Sequence, residues 1–250
     1  HRPRVGFTLP EILISLGLVV VLLAIVLPAL SAARSTSHRD ECQSNQRQIG
    51  AAWSSYLEEN DGQFPTVADD PAWRYGGVGF SSVDNTPFLD FMRPLTRHLP
   101  ARLARIPNES FFRCPADHGI KTASGDVVTG RRTAFRSYGT SYRAVAGLCN
   151  CIRAGIDEDE PRGLFLGEIT TMPSRQALNG DPLWYEVRAD TGRLAHWHGK
   201  PHHANVLFLD GSVRFVDVRA GAPQPVSFEM DLSKKDANAD AATHGTLTPP

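Results

Sequence analysis

The segment "HWHGKPHHANVLFLDG", residues 196–211, holds four of the nine histidines of the chain within eight positions. Imidazole nitrogens and carboxylate oxygens are ligands that zinc accepts. His196 and His198 are two apart and would face the same side of a strand, so one hypothesis is a metal site of His196, His198 and Asp210. The segment lacks the His-Glu-x-x-His spacing that places two histidines on one helix face. We therefore favour a histidine-rich loop without a metal, a cofactor or a catalytic group.

The same segment ends in the clearest hairpin signal of the chain. Two runs of alternating apolar and polar residues within 204–218 flank Asp210 and Gly211. An Asp-Gly pair favours a type I′ turn, in which both central residues need a positive φ. We predict a β-hairpin with Asp210 and Gly211 at its tip.

An uncharged apolar run near the start of the sequence indicates a membrane segment. Residues 12–30 contain no charged side chain. About 20 apolar residues in a helix cross the hydrocarbon of a bilayer, and the arginines of "HRPR" before the run agree with the positive-inside rule. We predict a transmembrane helix over residues 12–33, with the start of the chain in the cytoplasm and the remainder exported. The formal net charge of −1 is unlike the basic footprint of a nucleic-acid-binding protein.

The helical pattern continues beyond the apolar run. Apolar side chains recur at helical spacing in its second half, at Ile49, Trp53, Tyr56 and Leu57. Residues 7–62 are therefore predicted to form one long helix, amphipathic in its second half, with Asp61-Gly62 as its stop signal. Pro28 removes one backbone donor and is predicted to kink this helix.

Residues 63–220 have the pattern of an α+β globular domain. Aromatic and β-branched runs alternate with turn signals at 132–147, 163–170 and 182–187, and a short helix is predicted within 90–100. Residues 221–250 are poor in bulky apolar side chains and are predicted to form a disordered tail, because they bury too little surface to offset the entropy of ordering.

The four cysteines allow three disulfide connectivities if the domain lies outside the cytoplasm. Cys149 and Cys151 are separated by one residue, which would strain a bridge between them. The chain has no Cys-x-x-Cys pair, which argues against a zinc ribbon. Cys42 and Cys114 are the candidate disulfide pair.

The residues "GFTLPEILISL", 6–16, resemble the prepilin cleavage and methylation motif of type IV pilins and type II secretion pseudopilins. The resemblance implies that a prepilin peptidase and methyltransferase cuts after Gly6, which makes residues 1–6 a leader, and methylates the amine of Phe7. It implies that Glu11 meets the N-terminal ammonium of a neighbouring subunit, which explains a carboxylate beside a membrane segment. Pro28 stands where members of this family carry a helix-kinking proline.

Blocks further along the chain resemble a subfamily of prepilin-type proteins with a histidine-x9-Asp-Gly signature. They are residues 42–65, 112–117, 137–142 and the hairpin. The signature spacing, counted back from Asp210 and Gly211, falls on Lys200. His198 is the equivalent histidine if the loop carries two inserted residues.

The resemblance implies a pilin-like α+β fold, in which one long N-terminal helix packs on a C-terminal antiparallel sheet. It implies a structural subunit of the bacterial inner membrane, single-pass with its C-terminal domain in the periplasm, which assembles with other pilin-like subunits into a filament for protein secretion. Two alternatives remain open from the residues: an extracytoplasmic binding module or adhesin anchored by the same helix, and an envelope metalloenzyme that uses the 196–210 cluster.

Overall fold

The computed structural model describes residues 9–67, 71–81, 83, 86–99, 111–119, 133–149, 162–182, 197–201 and 203–217. The predicted leader, the start of the helix and the predicted tail over 221–250 lie outside these residues. So do His196, His202 and the run at 182–187 after its first residue.

A single helix dominates the described chain: α1 runs from Leu9 to Glu59 without a break at Pro28. At a rise of about 1.5 Å per residue it is about 77 Å long. It ends at Glu59, two residues before the predicted stop signal. There Asp61 has a φ of 52°, and the N–H of Gly62 donates to the carbonyl of Leu57 at 2.7 Å.

The two halves of α1 have different surroundings. Every residue from Leu9 to Leu30 is exposed, whereas the second half buries one face. The buried residues recur every three or four positions, as on one side of a helix: they are Cys42, Gln46, Ile49, Gly50, Ala52, Trp53 and Leu57. The amphipathic pattern read from the sequence therefore corresponds to a real packing face.

The buried face of α1 lies on an antiparallel sheet. Two strands, β1 (Val78–Phe80) and β2 (Pro87–Leu89), form a separate pair. The main sheet has the order β3-β4-β5-β6, and its strands are Arg143–Ala144, Ala177–Gly180, His203–Phe208 and Val213–Asp217. This layout confirms the predicted α+β, pilin-like fold class.

Small and polar side chains set how closely α1 approaches the sheet. A Cβ on Gly50 would lie 3.0 Å from the Cδ1 of Leu207 in β5, so the absence of a side chain there lets helix and strand meet closely. The indole N–H of Trp53 donates to the side-chain carbonyl of Asn179 in β4 at 3.3 Å. Trp53 therefore contributes both apolar contact and a satisfied donor.

The run at 132–147 is more helical than its composition predicts. It contains α3 (Ala134–Tyr138) and α4 (Ala146–Cys149) around the two-residue β3, after α2 (Pro71–Arg74) earlier in the chain. The side chain of Thr133 caps α3 by accepting from the N–H of Arg136, and this local cap outweighs the β propensity of the aromatic residues. The segment 163–170 likewise forms a 3-10 turn, and the short helix expected within 90–100 is a 3-10 helix over Pro94–His98.

The hairpin of β5 and β6 is present, but its turn is not type I′. The N–H of Gly211 donates to the carbonyl of Phe208 at 2.9 Å, and the N–H of Phe208 donates to the carbonyl of Ser212 at 2.9 Å. Gly211 has a φ of 78°, whereas Asp210 is not among the residues with positive φ. This is a type I turn closed by a left-handed glycine. The prediction was wrong about Asp210 because the loop is longer than the two residues that a type I′ hairpin requires.

We expect Gly139→Ala to destabilise the fold more than Gly211→Ala. Both glycines have positive φ, at 80° and 78°, so alanine costs about 1 kcal/mol of conformational strain at either position. A Cβ at Gly139 would also lie 1.9 Å from the carbonyl oxygen of Val78, whereas nothing lies within 4 Å at Gly211. Guanidinium unfolding of the full chain in detergent, followed by tryptophan fluorescence, measures the difference; equal losses of unfolding free energy would contradict this reading.

Candidate functional site

Residues 12–30 of α1 form an uncharged surface that the described residues of the domain leave uncovered. Its large apolar side chains are about half to three-quarters exposed, for example Ile12 at 56%, Ile14 at 73% and Ile25 at 67%. Within the part of the chain that the structure describes, α1 is the one helix long and apolar enough to cross a membrane. A helix that is apolar on all sides requires lipid or other helices around it.

Two residues of the predicted processing and assembly motif lie within the described helix. Glu11 is exposed in the first turn of α1, where the helix dipole favours a negative charge. Pro28 lies inside the helix and cannot donate to the carbonyl of Ala24. Gly6 and Phe7 lie outside the described residues, so their processing and the role of Glu11 in assembly stay predictions.

The structure brings His198 together with both cysteines of the predicted disulfide and with an aspartate that the sequence did not indicate. His198 Nε2 lies 3.2 Å from Asp181 Oδ2. The Cys42 thiol donates to Asp181 Oδ1 at 3.3 Å, and Cys114 Sγ lies 3.6 Å from His198 Nε2. One sulfur, nitrogen or oxygen atom from each of these four residues lies within 4.8 Å of the other three, and all four residues are buried. We call Cys42, Cys114, Asp181 and His198 the buried cluster.

Four separate segments supply the buried cluster. Cys42 is on the packed half of α1, and Cys114 follows the turn that begins at Phe111. Asp181 comes directly after β4, and His198 lies in the loop before β5. The cluster therefore joins the long helix, a loop and two parts of the sheet region at one point.

Hydrogen bonds hold the Asp181 carboxylate in place. Its Oδ2 accepts from the N–H of Asn205 in β5 at 2.8 Å, and the N–H of Asp181 donates to the carbonyl of Asn205 at 2.9 Å. Gln46, one turn after Cys42 on α1, donates from Nε2 to Asp181 Oδ1 at 3.4 Å and to the carbonyl of Asn205 at 3.3 Å. The carboxylate is thus a shared acceptor between helix and sheet.

Burial and neighbouring charge act on the protons of the cluster. Burial lowers the pKa of the His198 imidazole, but the charge and hydrogen bond of Asp181 outweigh burial and raise that pKa to about 10. Burial first, and then the neighbouring Cys42 thiol, raise the pKa of Cys114 well above its usual value. His198 and Asp181 thus form a buried ion pair beside the Cys114 thiol, whose raised pKa keeps it protonated.

The candidate residues from the hairpin separate in the fold. Asp210 is exposed at the hairpin tip, where its Oδ1 accepts from the N–H and hydroxyl of Ser212. Asn205, which bonds to Asp181 of the cluster, lies five residues earlier, or roughly 15 Å along the chain. Gly211 serves the turn. Asp210 therefore does not join His198, and His196 lies outside the described residues. The described cysteines are free thiols, and the Cys42–Cys114 disulfide is not formed in this structure.

Sequence reasoning missed Asp181 and Gln46. Gln46 could have been found, because it lies one helical turn after Cys42 and one before Gly50 on the face that Ile49 and Trp53 indicate. Asp181 carries no local signal, since an aspartate between glycine and proline is typical of a turn. Its place in the cluster follows from the pairing of β4 with β5.

We expect His198→Ala to destabilise the fold by about 3 kcal/mol or more, because it leaves the buried Asp181 carboxylate without its cation. His118→Ala is the matched control, since His118 is exposed on the loop that carries Cys114, and its loss is expected to stay within about 0.5 kcal/mol. Unfolding of the full chain by denaturant measures both variants. A His198→Ala loss no larger than that of the control would show that the ion pair is not needed.

One comparison with known proteins gives a match. The chain is similar to competence protein ComGC of Bacillus subtilis (strain 168), with 33% identity over 64 residues. The match covers 26% of this chain and 65% of that protein, so the chain spans less than two thirds of its relative. No family model matches the chain, and no solved structure matches it.

Proposed function

We propose that the chain is a pilin-like structural subunit of a bacterial envelope filament. Residues 12–33 anchor it in the inner membrane, with the globular domain on the periplasmic side. A prepilin peptidase and methyltransferase removes residues 1–6 and methylates Phe7, and the subunit then assembles with other pilin-like subunits. The observation that carries the proposal is the exposed, uncharged segment 12–30 of α1, which continues without a break into a second half that packs on the sheet.

The exposed half of α1 suits a subunit that moves from a bilayer into a helical bundle. In water, each Å² of this apolar surface would cost about 25 cal/mol. Lipid tails are as apolar as leucine, so the transfer from lipid to a bundle of like helices changes this hydrophobic term little. The same surface therefore serves as anchor and as filament core, and close packing and polar pairing must decide when assembly occurs.

Glu11 is the polar group that assembly can use. An ionisable side chain at the head of a membrane segment is costly and is functional by default. The new N-terminal ammonium of Phe7 is positively charged. If it pairs with Glu11 of a neighbouring subunit, the two charges neutralise each other. This pair sets the stagger of adjacent helices in the proposed filament.

The role proposed for the domain is assembly and not catalysis. The relative is a competence protein by name, which makes a competence machine the second candidate beside a secretion system. Deletion of the gene in its host separates the two, since loss of exported proteins from the medium supports secretion and loss of transformation supports competence.

We expect Gly6→Val to block processing. Mass spectrometry of the chain purified from host membranes should find wild type cut after Gly6 with a methylated Phe7, and the variant uncut. Gly17→Val is the control, because nothing lies within 4 Å of a Cβ placed at Gly17, and it should be cut normally. An intact Gly6–Phe7 bond in the wild-type chain would overturn the processing step.

We expect Glu11→Gln to be cut and inserted normally but to lower the filament fraction by at least about tenfold, because it leaves the ammonium of the neighbour unpaired in an apolar setting. Shearing of filaments from cells, followed by quantitative immunoblotting, measures that fraction. Glu58→Gln is the matched control, since Glu58 is exposed near the far end of the same helix. Filament levels that are equal in the two variants would remove Glu11 from the assembly mechanism.

A further inference from the structure

We propose that the buried cluster of Cys42, Cys114, Asp181 and His198 binds one structural zinc ion. The zinc site goes beyond the filament role and does not depend on it. It also differs from the site of His196, His198 and Asp210 that the sequence spacing suggested. The two sites share only His198. The geometry, the closure of the site and its surroundings support it in turn.

The spacing of the donor atoms is that of ligands around one ion. Zinc binds sulfur at about 2.3 Å and nitrogen or oxygen at about 2.0–2.2 Å, so its tetrahedral ligands lie about 3.3–3.8 Å from one another. Three of the six separations are 3.3 Å for Cys42 Sγ to Asp181 Oδ1, 3.6 Å for Cys114 Sγ to His198 Nε2 and 3.2 Å for His198 Nε2 to Asp181 Oδ2. Small side-chain shifts are enough to place all four around a central ion.

The kind and number of ligands favour zinc and a structural role. Two thiolates and one imidazole are soft or intermediate ligands that zinc prefers over the oxygen ligands of magnesium or calcium. Four protein ligands complete a tetrahedral shell and leave no open position for water or substrate. Each of the four residues is at most 5% exposed, which also keeps solvent from the ion.

The surroundings of the cluster supply the donors that an anionic zinc site needs. Two thiolates and a carboxylate carry three negative charges against the two positive charges of the ion, so one negative charge remains to be stabilised. The N–H of Asn205 already donates to Asp181, and Gln46 Nε2 lies 3.8 Å from Cys42 Sγ. Such hydrogen bonds from outside the ligand shell orient ligands and are a regular part of zinc sites.

Tyr142 adds an independent observation. Its hydroxyl is fully buried and has no hydrogen-bond partner among the described residues, although a buried hydroxyl normally has one. A phenol hydroxyl can donate one hydrogen bond, and that of Tyr142 lies beside the sulfurs of Cys42 and Cys114. A metal-bound Cys42 thiolate accepts a hydrogen bond more strongly than a neutral thiol does.

A zinc ion at this point would join four parts of the chain that are far apart in sequence. Cys42 and Asp181 are separated by 139 positions, and Cys114 and His198 by 84. Binding requires loss of the thiol and imidazolium protons, and the free energy of binding adds to that of folding. The ion would fix the packed half of α1 to the domain while the first half stays free for lipid or neighbours.

Cobalt(II) titration of the full chain tests the site. The chain is purified in detergent, reduced and freed of metal with a chelator, and cobalt(II) is added as a spectroscopic substitute for zinc. We expect one ion per chain, a thiolate-to-cobalt charge-transfer absorption with tetrahedral visible bands, and full displacement of these bands by one equivalent of zinc. This wild-type experiment does not depend on whether any variant folds.

Variants then assign the ligands. Cys42→Ser and Cys114→Ser should each lower the charge-transfer absorption by about half, since one of two thiolates remains, and the double variant should abolish it. Cys149→Ser is the matched control, because Cys149 is a buried free thiol outside the cluster, and it should bind cobalt as wild type does. Absence of cobalt binding by the reduced wild-type chain overturns the proposal. A Cys42–Cys114 disulfide in the protein isolated from its host, or unchanged absorption in the double variant, overturns it as well.

Discussion

Burial of the Asp181 carboxylate is the constraint on which the arrangement of helix and sheet depends. A buried anion is several kcal/mol unfavourable unless donors or cations surround it. Asp181 has no exposed surface, and its donors come from α1, from β5 and from the loop that carries His198. Any slide of the helix along the sheet would remove some of them. A single side chain therefore sets the position of a 51-residue helix more strictly than apolar contact could, because apolar contact has no direction.

The fixed position of the second half of α1 determines what the first half does. Because α1 is one continuous helix, the segment before about residue 34 is carried away from the sheet, and no described residue of the domain covers it. The chain thus has two surfaces suited to different surroundings. The domain suits water, and the helical segment, uncharged over residues 12–30, suits lipid or other apolar helices. Residues 34–41, "RSTSHRDE", are polar and charged and separate the two, as expected where a helix leaves a bilayer.

The aromatic core under the second half of α1 explains how a sheet of short strands can hold this helix in place. Trp53 stacks on Tyr75 with ring centroids 5.6 Å apart and bonds to Asn179 in the sheet. Arg93 is buried, and its guanidinium donates to the carbonyls of Trp73, Gly76 and Tyr138, which fastens the loops around that aromatic layer. Large aromatic side chains and one arginine supply the area and the hydrogen bonds that short strands cannot provide.

Local patterns in the sequence were enough to predict the uncharged span, the amphipathic second half of the helix, the stop signal at Asp61 and Gly62 and the hairpin at Gly211, since each depends on neighbouring residues. The antiparallel α+β class followed from the resemblance to prepilin-type proteins. The tertiary structure alone decided that Asp210 has no part in the buried cluster and that Cys42, Cys114 and His198 meet at Asp181. Ligand-like contacts between residues 139 or 84 positions apart have no periodicity to read. They exist because strand pairing and helix packing bring distant segments together. The spacing of residues in the sequence does not indicate which of them become neighbours in space.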